Sequence, residues 1–582
     1  MKTFWKIVFG SLLGCIVALV IFGFIFLGMV GSLISFSDET IASVPSKAIL
    51  KIDFNTGIAE RNRDMNLNLD VTSLMSGNIN TAGTMSILSA IRAIETAAFD
   101  PAIEFIYINT DKMAMSMSHI EELRGALKDF RESGKAVVTY GNTYSTGSYY
   151  LASVSDKIII NKGGESNITG IGTNVMFFKG ILDKLGVKMQ LIRHGKYKSA
   201  GEQYVADEMS PANREQNEAM IASIWNSWNK EIAASRDFSC EDLDNWINNL
   251  ELSNAESLIE RKLVDEAFQP AELNAYLCSL FNVSDSKNLK FVDLATYAKA
   301  RVKENTRAKE KIAILYADGE IVMRGDDTVV GGAEFAMEIE KLRKDSTIKA
   351  VVFRVNSPGG SAQAAEMIRS EIELLAKVKP VIASYGDYAA SGGYWISAGA
   401  HKIFTDNSTL TGSIGVFSLI PDIGSALNKT LNVKTFAVTT HKHGDMLSGM
   451  RSLDESEQKY MQDMVENIYS QFTSIVAEGR SMSVEAVDEI AQGRVWAGGD
   501  AIKIGLADEI GDLTDAIRYA AAAANLSDYK IVEAPIIKTS YEKIMETISK
   551  GASISLLEST YSFLKDATEP STYARMPYIY LW

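Results

Sequence analysis

Residues 348–402 align without a gap on residues 103–157 at a constant offset of 245. Val381-Ile382-Ala383-Ser384-Tyr385-Gly386 falls on Ala136-Val137-Val138-Thr139-Tyr140-Gly141, and Ser391-Gly392-Gly393-Tyr394-Trp395 on Thr146-Gly147-Ser148-Tyr149-Tyr150. A register of this kind is the mark of a duplicated domain. The 582 residues are too many for one core, whereas two units of about 250 residues fit the usual upper size of a domain. The copies have diverged in a complementary way. The second holds a glycine-rich loop and a serine among small residues, and the first has lost both but carries a lysine with no counterpart in the second. Function is therefore expected to need both halves.

Within each half, short β-branched runs alternate with helical stretches. Ala350-Val351-Val352-Phe353-Arg354-Val355 reads as a buried strand, Ala362 to Lys377 has helical periodicity, and Pro380 to Ser384 reads as a strand. That alternation predicts an α/β fold with mostly parallel strands. Lys47-Ala48-Ile49-Leu50-Lys51-Ile52 opens the pattern and Lys311-Ile312-Ala313-Ile314-Leu315-Tyr316 restarts it, which divides the chain into 46–305 and 306–582. The Lys- and Arg-rich stretch from Lys299 to Lys311 reads as a solvated helix or linker. Pro211 to Leu250 and Ser452 to Ala491 are predicted helical, with Trp225, Trp228 and Trp246 as packing residues.

Residues 7–36 contain no charged side chain, enough to span about 30 Å of hydrocarbon as a helix. Lys2 and Lys6 precede this run and Asp38 and Glu39 follow it, so residues 1–45 are expected to be an uncleaved anchor with a cytoplasmic N-terminus and the remaining chain across the membrane. A cleaved signal peptide would have a shorter apolar core. Leu12-Leu13-Gly14-Cys15 loosely matches a lipoprotein box, but the apolar run continues far beyond Cys15. The net charge of −15 leaves no basic stripe for phosphates and excludes nucleic acid as a partner. Cys15, Cys240 and Cys278 are widely spaced, the histidines lack ligand spacing and no GxxxxGK[ST] is present, so neither a metal nor ATP is expected. Spacing alone leaves open whether Cys240 and Cys278 pair.

The chemistry concentrates in the second half. Asn356-Ser357-Pro358-Gly359-Gly360-Ser361 joins a strand to a helix, and paired glycines there let backbone N–H groups approach a ligand, as an oxyanion hole requires. The matched Asp111-Lys112-Met113-Ala114-Met115-Ser116 has no glycine, so the fold does not demand them. Downstream, Asp387-Tyr388-Ala389-Ala390-Ser391-Gly392-Gly393-Tyr394 sets Ser391 at the start of a helical run, where unpaired N–H groups and the dipole favour negative charge. A capping serine would look the same in isolation; two glycine loops converging on it favour a nucleophile. Such a serine needs a base. None of His119, His194, His401, His441 and His443 sits in a triad setting, which leaves a lysine. Lys196 and Lys198 are both candidates, and strand alternation would put them on one face.

Asn356-Ser357-Pro358-Gly359-Gly360, Ala390-Ser391-Gly392-Gly393-Tyr394, Thr411-Gly412-Ser413-Ile414-Gly415, Gly493-Arg494-Val495-Trp496-Ala497-Gly498 and, in the first half, Tyr197-Lys198-Ser199-Ala200 resemble the SppA-type signal peptide peptidases of family S49 in their long, duplicated form. The resemblance covers nearly the whole chain. It implies two tandem ClpP/crotonase-like repeats behind one N-terminal transmembrane helix, with Ser391 as nucleophile and Lys198 as general base. It further implies Ser413 as the hydroxyl that orients the lysine, and Gly359 or Gly360 with Gly392 as oxyanion donors. No cofactor is implied. The substrates implied are remnant signal peptides, the assembly a homotetramer, and the location the bacterial inner membrane with the catalytic part on the periplasmic side. Aligning Val187-Lys188 with Val433-Lys434 sets Lys198 opposite Gly444, and Thr169-Gly170-Ile171-Gly172 lacks the Ser413 hydroxyl, so each half lacks what the other has. The rival readings are a crotonase-fold acyl-CoA enzyme and a scaffold with a dead centre. Residues 541–565 read as an amphipathic helix, and the apolar end Met576 to Trp582 is expected to pack within the chain.

Overall fold

The computed structural model describes residues 14, 17, 43–62, 84–325, 328–536 and 572–576. The chain divides into Met1–Pro45 and a compact unit Ser46–Trp582 that holds both repeats. Among the described residues no helix is long and apolar enough to cross a membrane. The predicted span 7–36, apart from Gly14 and Val17, and the predicted helix 541–565 lie outside the described residues.

Each repeat builds a parallel sheet. In the first the strands run Glu266–Phe268, Lys157–Asn167, Val137–Ser145, Ile103–Asn109, Ala48–Ile52 and Phe291–Asp293, side by side in that order. In the second, Lys402–Thr405, Val381–Ala390, Ile348–Ser357, Lys311–Asp318 and Lys530–Ala534 repeat the same succession. Leu410–Gly412 pairs with the far end of Val381–Ala390, and Val495–Ala497 adds to it antiparallel. The duplication thus appears as one sheet order built twice. The central strands are nearly continuous runs of Ile, Val and Ala buried on both faces, as parallel strands covered by helices must be. The helices Ile87–Phe99 and Met117–Glu132 of the first copy answer to Gly332–Lys344 and Ala362–Ala376 of the second.

The long helical predictions hold with breaks. Pro211–Arg236 is followed by Cys240–Asn248, and Glu455–Gly479 by Val484–Ile490, with capping serines Ser239 and Ser483 starting the second members. Trp228 is buried and stacked on Tyr150 with ring centroids 4.1 Å apart, a packing role. Cys240 and Cys278 are both free thiols.

A third sheet ties the halves together. Its order is Val330–Gly331, Ile321–Val322, Gly359–Ser361, Thr572–Arg575, Val416–Asp422 and Lys188–His194. The last strand comes from the first repeat and pairs antiparallel with Val416–Asp422 over its full length, from His194 opposite Val416 to Lys188 opposite Asp422.

A buried ion cluster forms the second tie. Arg354, on the central strand of the second sheet, donates to both Glu60 oxygens at 2.9 and 3.0 Å, to Glu122 at 2.8 Å, and to Ser384 Oγ and the Tyr385 carbonyl. Glu60 and Glu122 belong to the first repeat, and all three side chains are almost wholly out of water. Burial alone would raise the Glu60 carboxyl, but Arg354 and His119 beside it hold it well below the usual carboxylate range. Burial opposes charge on His119 too, yet Glu60 at 3.1 Å pushes its pKa up to about 9. Removing one partner of such a cluster strands the others without compensation. Arg354→Met is expected to cost about 3–5 kcal/mol, read as a lowered unfolding midpoint, with Glu60→Gln milder because it keeps an acceptor.

Candidate active site

Ser391 follows the strand Val381–Ala390 with a positive φ of 56° and ψ of −117°, a conformation that a side-chain-bearing residue rarely adopts. Its N–H donates to the Gly412 carbonyl at 2.8 Å and its own carbonyl accepts from Trp395 N–H at 2.8 Å, which pins the strained turn from both sides. The helix that follows is only Gly392–Trp395, shorter than the helical run predicted, so little dipole acts on the serine. At the matched place in the first half, Thr146 opens an ordinary helix Thr146–Ala152, which Ser145 caps at φ −86°. The strain therefore belongs to the second copy alone.

Lys198 reaches this turn from the first half. Its Nζ lies 2.7 Å from Ser391 Oγ, 2.9 Å from the Ser413 carbonyl oxygen and 3.0 Å from Ser413 Oγ. Lys198, Ser391 and Ser413 are all fully buried. Burial pushes the Lys198 amine well below the ordinary lysine range. A neutral amine has two N–H donors and one lone pair. Within reach of this nitrogen lie one carbonyl oxygen, which only accepts, and two hydroxyls, which can donate or accept.

The two candidate lysines separate because Gly195 to Ala200 forms turns instead of continuing the strand. The expected alternation thus fails. Lys196 is exposed, with its Nζ 4.7 Å from the centre of the Tyr197 ring, and Lys198 turns inward. Backbone bonds hold this turn: Tyr197 N–H donates to the Gln492 carbonyl at 2.9 Å, and Arg193 donates to the Lys198 carbonyl at 2.8 Å while paired with Glu202. Gln216 donates to the Tyr197 carbonyl and to Ser199 Oγ, and accepts from Val495 N–H across the halves. Sequence reasoning passed over these supports. Gly493 and Gly415 sit inside motifs it quoted, and only the packing shows their use. A Cβ on Gly493, at φ 79°, would stand 2.5 Å from the Lys198 backbone nitrogen, and one on Gly415 would stand 2.7 Å from Gly493.

The glycine loop lies alongside. Gly359 N–H donates to Ser357 Oγ at 3.2 Å, and Gly360 is a ladder residue opposite Ile321, where a Cβ would fall 1.9 Å from the Ile321 carbonyl oxygen. Gly392 follows Ser391 and is buried. Gly393 faces the loop, since a Cβ there would lie 2.5 Å from the Ser357 carbonyl oxygen. His401 is exposed and takes no part. His443 stands near Asp454 and Glu457, a grouping the sequence spacing did not suggest. Both Glu457 oxygens accept from Arg451, which makes the group an ion-pair network.

The family model for peptidase family S49 matches the chain twice, over residues 129–284 and 373–527. Lys198 falls in the first match, and Ser391 and Ser413 in the second. The chain is 35% identical over 494 residues to Protease 4 of Salmonella typhi, covering 82% of this chain and 78% of that one. Protease 4 of Haemophilus influenzae is 33% identical over 544 residues, 90% and 87% of the two chains. The chloroplastic serine protease SPPA of Arabidopsis thaliana is 32% identical over 481 residues, 81% and 70%. A mutant ClpP1 of Listeria monocytogenes aligns in structure over 35% of this chain and 94% of its own at 16% identity, with a TM-score of 0.24 that is too low to bear on the fold. With one family match in each half and relatives aligned over most of their own length, the chain belongs to peptidase family S49 in its long, duplicated form.

Proposed function

We propose that this serine peptidase cuts peptides with a Ser391/Lys198 dyad shared between its halves. The observation that carries the reading is the 2.7 Å approach of a buried lysine amine to the hydroxyl of a strained serine. Lys198 Nζ takes the Ser391 proton as Oγ attacks the substrate carbonyl carbon. Ser413 holds the amine so that its lone pair faces Oγ. Backbone N–H groups of Gly359 or Gly360 and of Gly392 receive the oxyanion, each such donor being worth about 3 kcal/mol. Lys198 then returns the proton to the leaving amine. The acyl group on Ser391 Oγ is released by a water that Lys198 deprotonates in turn.

The substrates in this reading are remnant signal peptides and other apolar peptides. Residues 7–36 anchor the chain in the bacterial inner membrane with the catalytic part on the periplasmic side, and the repeats at 46–305 and 306–582 assemble as a homotetramer. The uncharged run at 7–36 with lysines before it, and kinship with bacterial Protease 4, support this placement.

Hydrolysis of an apolar fluorogenic peptide tests the dyad. Ser391→Ala and Lys198→Met are expected to lose about 10³-fold or more in kcat/KM, while Lys196→Ala stays near wild type; an unchanged Ser391→Ala would end the proposal. A protonated Lys198 accepts nothing, so kcat/KM should fall as pH drops through its lowered pKa, well below the pH at which an ordinary lysine titrates. Stability carries the matching sign. Between that lowered pKa and the unfolded value of about 10.4, the unfolded chain binds the extra proton, so Lys198 destabilises the fold throughout this window. Lys198→Met should therefore raise the melting temperature at neutral pH while abolishing turnover. Gly493→Ala, which forces the lysine turn away from the second half, is expected to lower kcat about 10²-fold, with a circular dichroism spectrum like that of the wild type.

A further inference from the structure

Arg494 lies in a motif that the mechanism above leaves unused, yet its backbone and its side chain both end on supports of the dyad. The stretch Gly493 to Val495 runs along Gly412 to Ile414. Gly493 N–H donates to the Ile414 carbonyl at 2.8 Å, the Arg494 carbonyl accepts from Ser413 N–H at 2.7 Å, and Val495 stands opposite Gly412. Ser413 has a positive φ of 48°, which a side-chain-bearing residue seldom takes, and the Arg494 carbonyl fixes the N–H of that strained residue. The guanidinium turns the other way, toward the first half. Its carbon lies over the Tyr197 ring at 4.9 Å and over the Trp496 ring at 4.4 Å from the ring centres. Its Nη1 donates to Tyr197 Oη at 3.2 Å and to Glu215 Oε1 at 3.1 Å, and the Tyr197 hydroxyl donates to the same Glu215 oxygen at 2.9 Å.

Tyr197 precedes Lys198 in the chain, and Ser413 supplies two of the three polar contacts of the Lys198 amine. One residue of the second half thus grips the base's turn with its side chain and the base's neighbour with its backbone. We propose that Arg494 is the positioning residue of the dyad, its carbonyl fixing Ser413 and its guanidinium holding Tyr197, so that the Lys198 amine meets Ser391 out of water. The inference rests on the peptidase reading of the site given above. The grip is more than a surface ion pair. The Arg494 side chain is only 19% exposed, and a planar fork that stacks on aromatic rings while donating to a hydroxyl is a geometry that a lysine ammonium does not reproduce. Tyr197 is buried and its N–H and carbonyl are bonded to Gln492 and Gln216, so a shift of its ring passes to Lys198 through a single peptide link. Those same bonds keep the turn in place when Arg494 is replaced, so the fold should survive.

The test uses the whole chain and follows hydrolysis of the fluorogenic peptide against pH. Arg494→Met should lower kcat about 30-fold at a KM within about twofold, because a loosened amine costs turnover and not peptide binding. The acid limb of kcat/KM should move to higher pH by at least about half a unit, as water regains access to the amine. Arg494→Lys keeps the charge without the fork and should recover only part of the loss. Tyr197→Phe should move both quantities the same way by less, and the double variant should lose less than the product of the two single losses, since both act through one contact. A readout free of catalysis is the melting temperature at neutral pH: Lys198→Met should raise it by less in the Arg494→Met background than alone, since an amine open to water no longer weighs on the fold. In an enzyme that depends on Lys198, an acid limb left in place would overturn the proposal, as would a raised KM with kcat intact. If Arg494→Met does not fold, an unmoved acid limb in Tyr197→Phe overturns it equally. If hydrolysis proves independent of Lys198 while the gain in melting temperature still shrinks, the positioning stands and the dyad falls.

Discussion

Everything in this molecule bears on one amine held out of water. Lys198 comes from the first repeat and ends against Ser391 and Ser413 of the second, where burial lowers its proton affinity. Burial disfavours the charged form of such an amine, and that is the condition the proposed dyad needs for it to take the serine proton. The arrangement survives only if the surrounding backbone leaves no path for water. The turn Gly195 to Ala200 is accordingly fastened by Arg193, Gln216 and Gln492, and glycines at 415 and 493 let two backbones meet at the lysine.

Duplication explains how such a site arose between two copies of one fold. Each copy builds the same parallel sheet, and the ends of the equivalent strands Val137–Ser145 and Val381–Ala390 reach equivalent turns. In the first copy that turn relaxed into a capped helix. In the second it kept a residue at φ 56°. The Arg354 cluster and the pairing of Lys188–His194 with Val416–Asp422 hold the copies in one relation, and that relation sets the position of the lysine on the serine. The same mixed sheet leaves room for a single extended strand beside the glycine loop, which the chain's own end occupies.

Much of this was legible in the residues. The constant offset foretold two like sheets, and the runs Ala350 to Val355 and Pro380 to Ser384 foretold strands that the fold extends to Ile348–Ser357 and Val381–Ala390. The glycines that the first copy lacks marked the loop that lies beside Ser391. Other features left no local trace. Spacing within Gly195 to Ala200 did not separate the two lysines, because strand periodicity was assumed where turns are formed; the resemblance of Tyr197-Lys198-Ser199-Ala200 alone pointed to Lys198. Arg354 looked like an ordinary residue in a strand, since its partners Glu60 and Glu122 are more than two hundred residues away. The short stretch Thr572–Arg575 lacked the length and alternation that announce a strand, and it is a strand only because two edges wait for it.

By itself the sequence determined the repeat, the α/β class and the kinds of side chain available for chemistry, because these follow from periodicity and residue type, which are local. Only the tertiary structure decided how the Lys198 amine comes to within 2.7 Å of Ser391 out of water, and what lies along the glycine loop. Those depend on distances between segments from different halves and on the exclusion of water where they meet, neither of which is a property of any one segment.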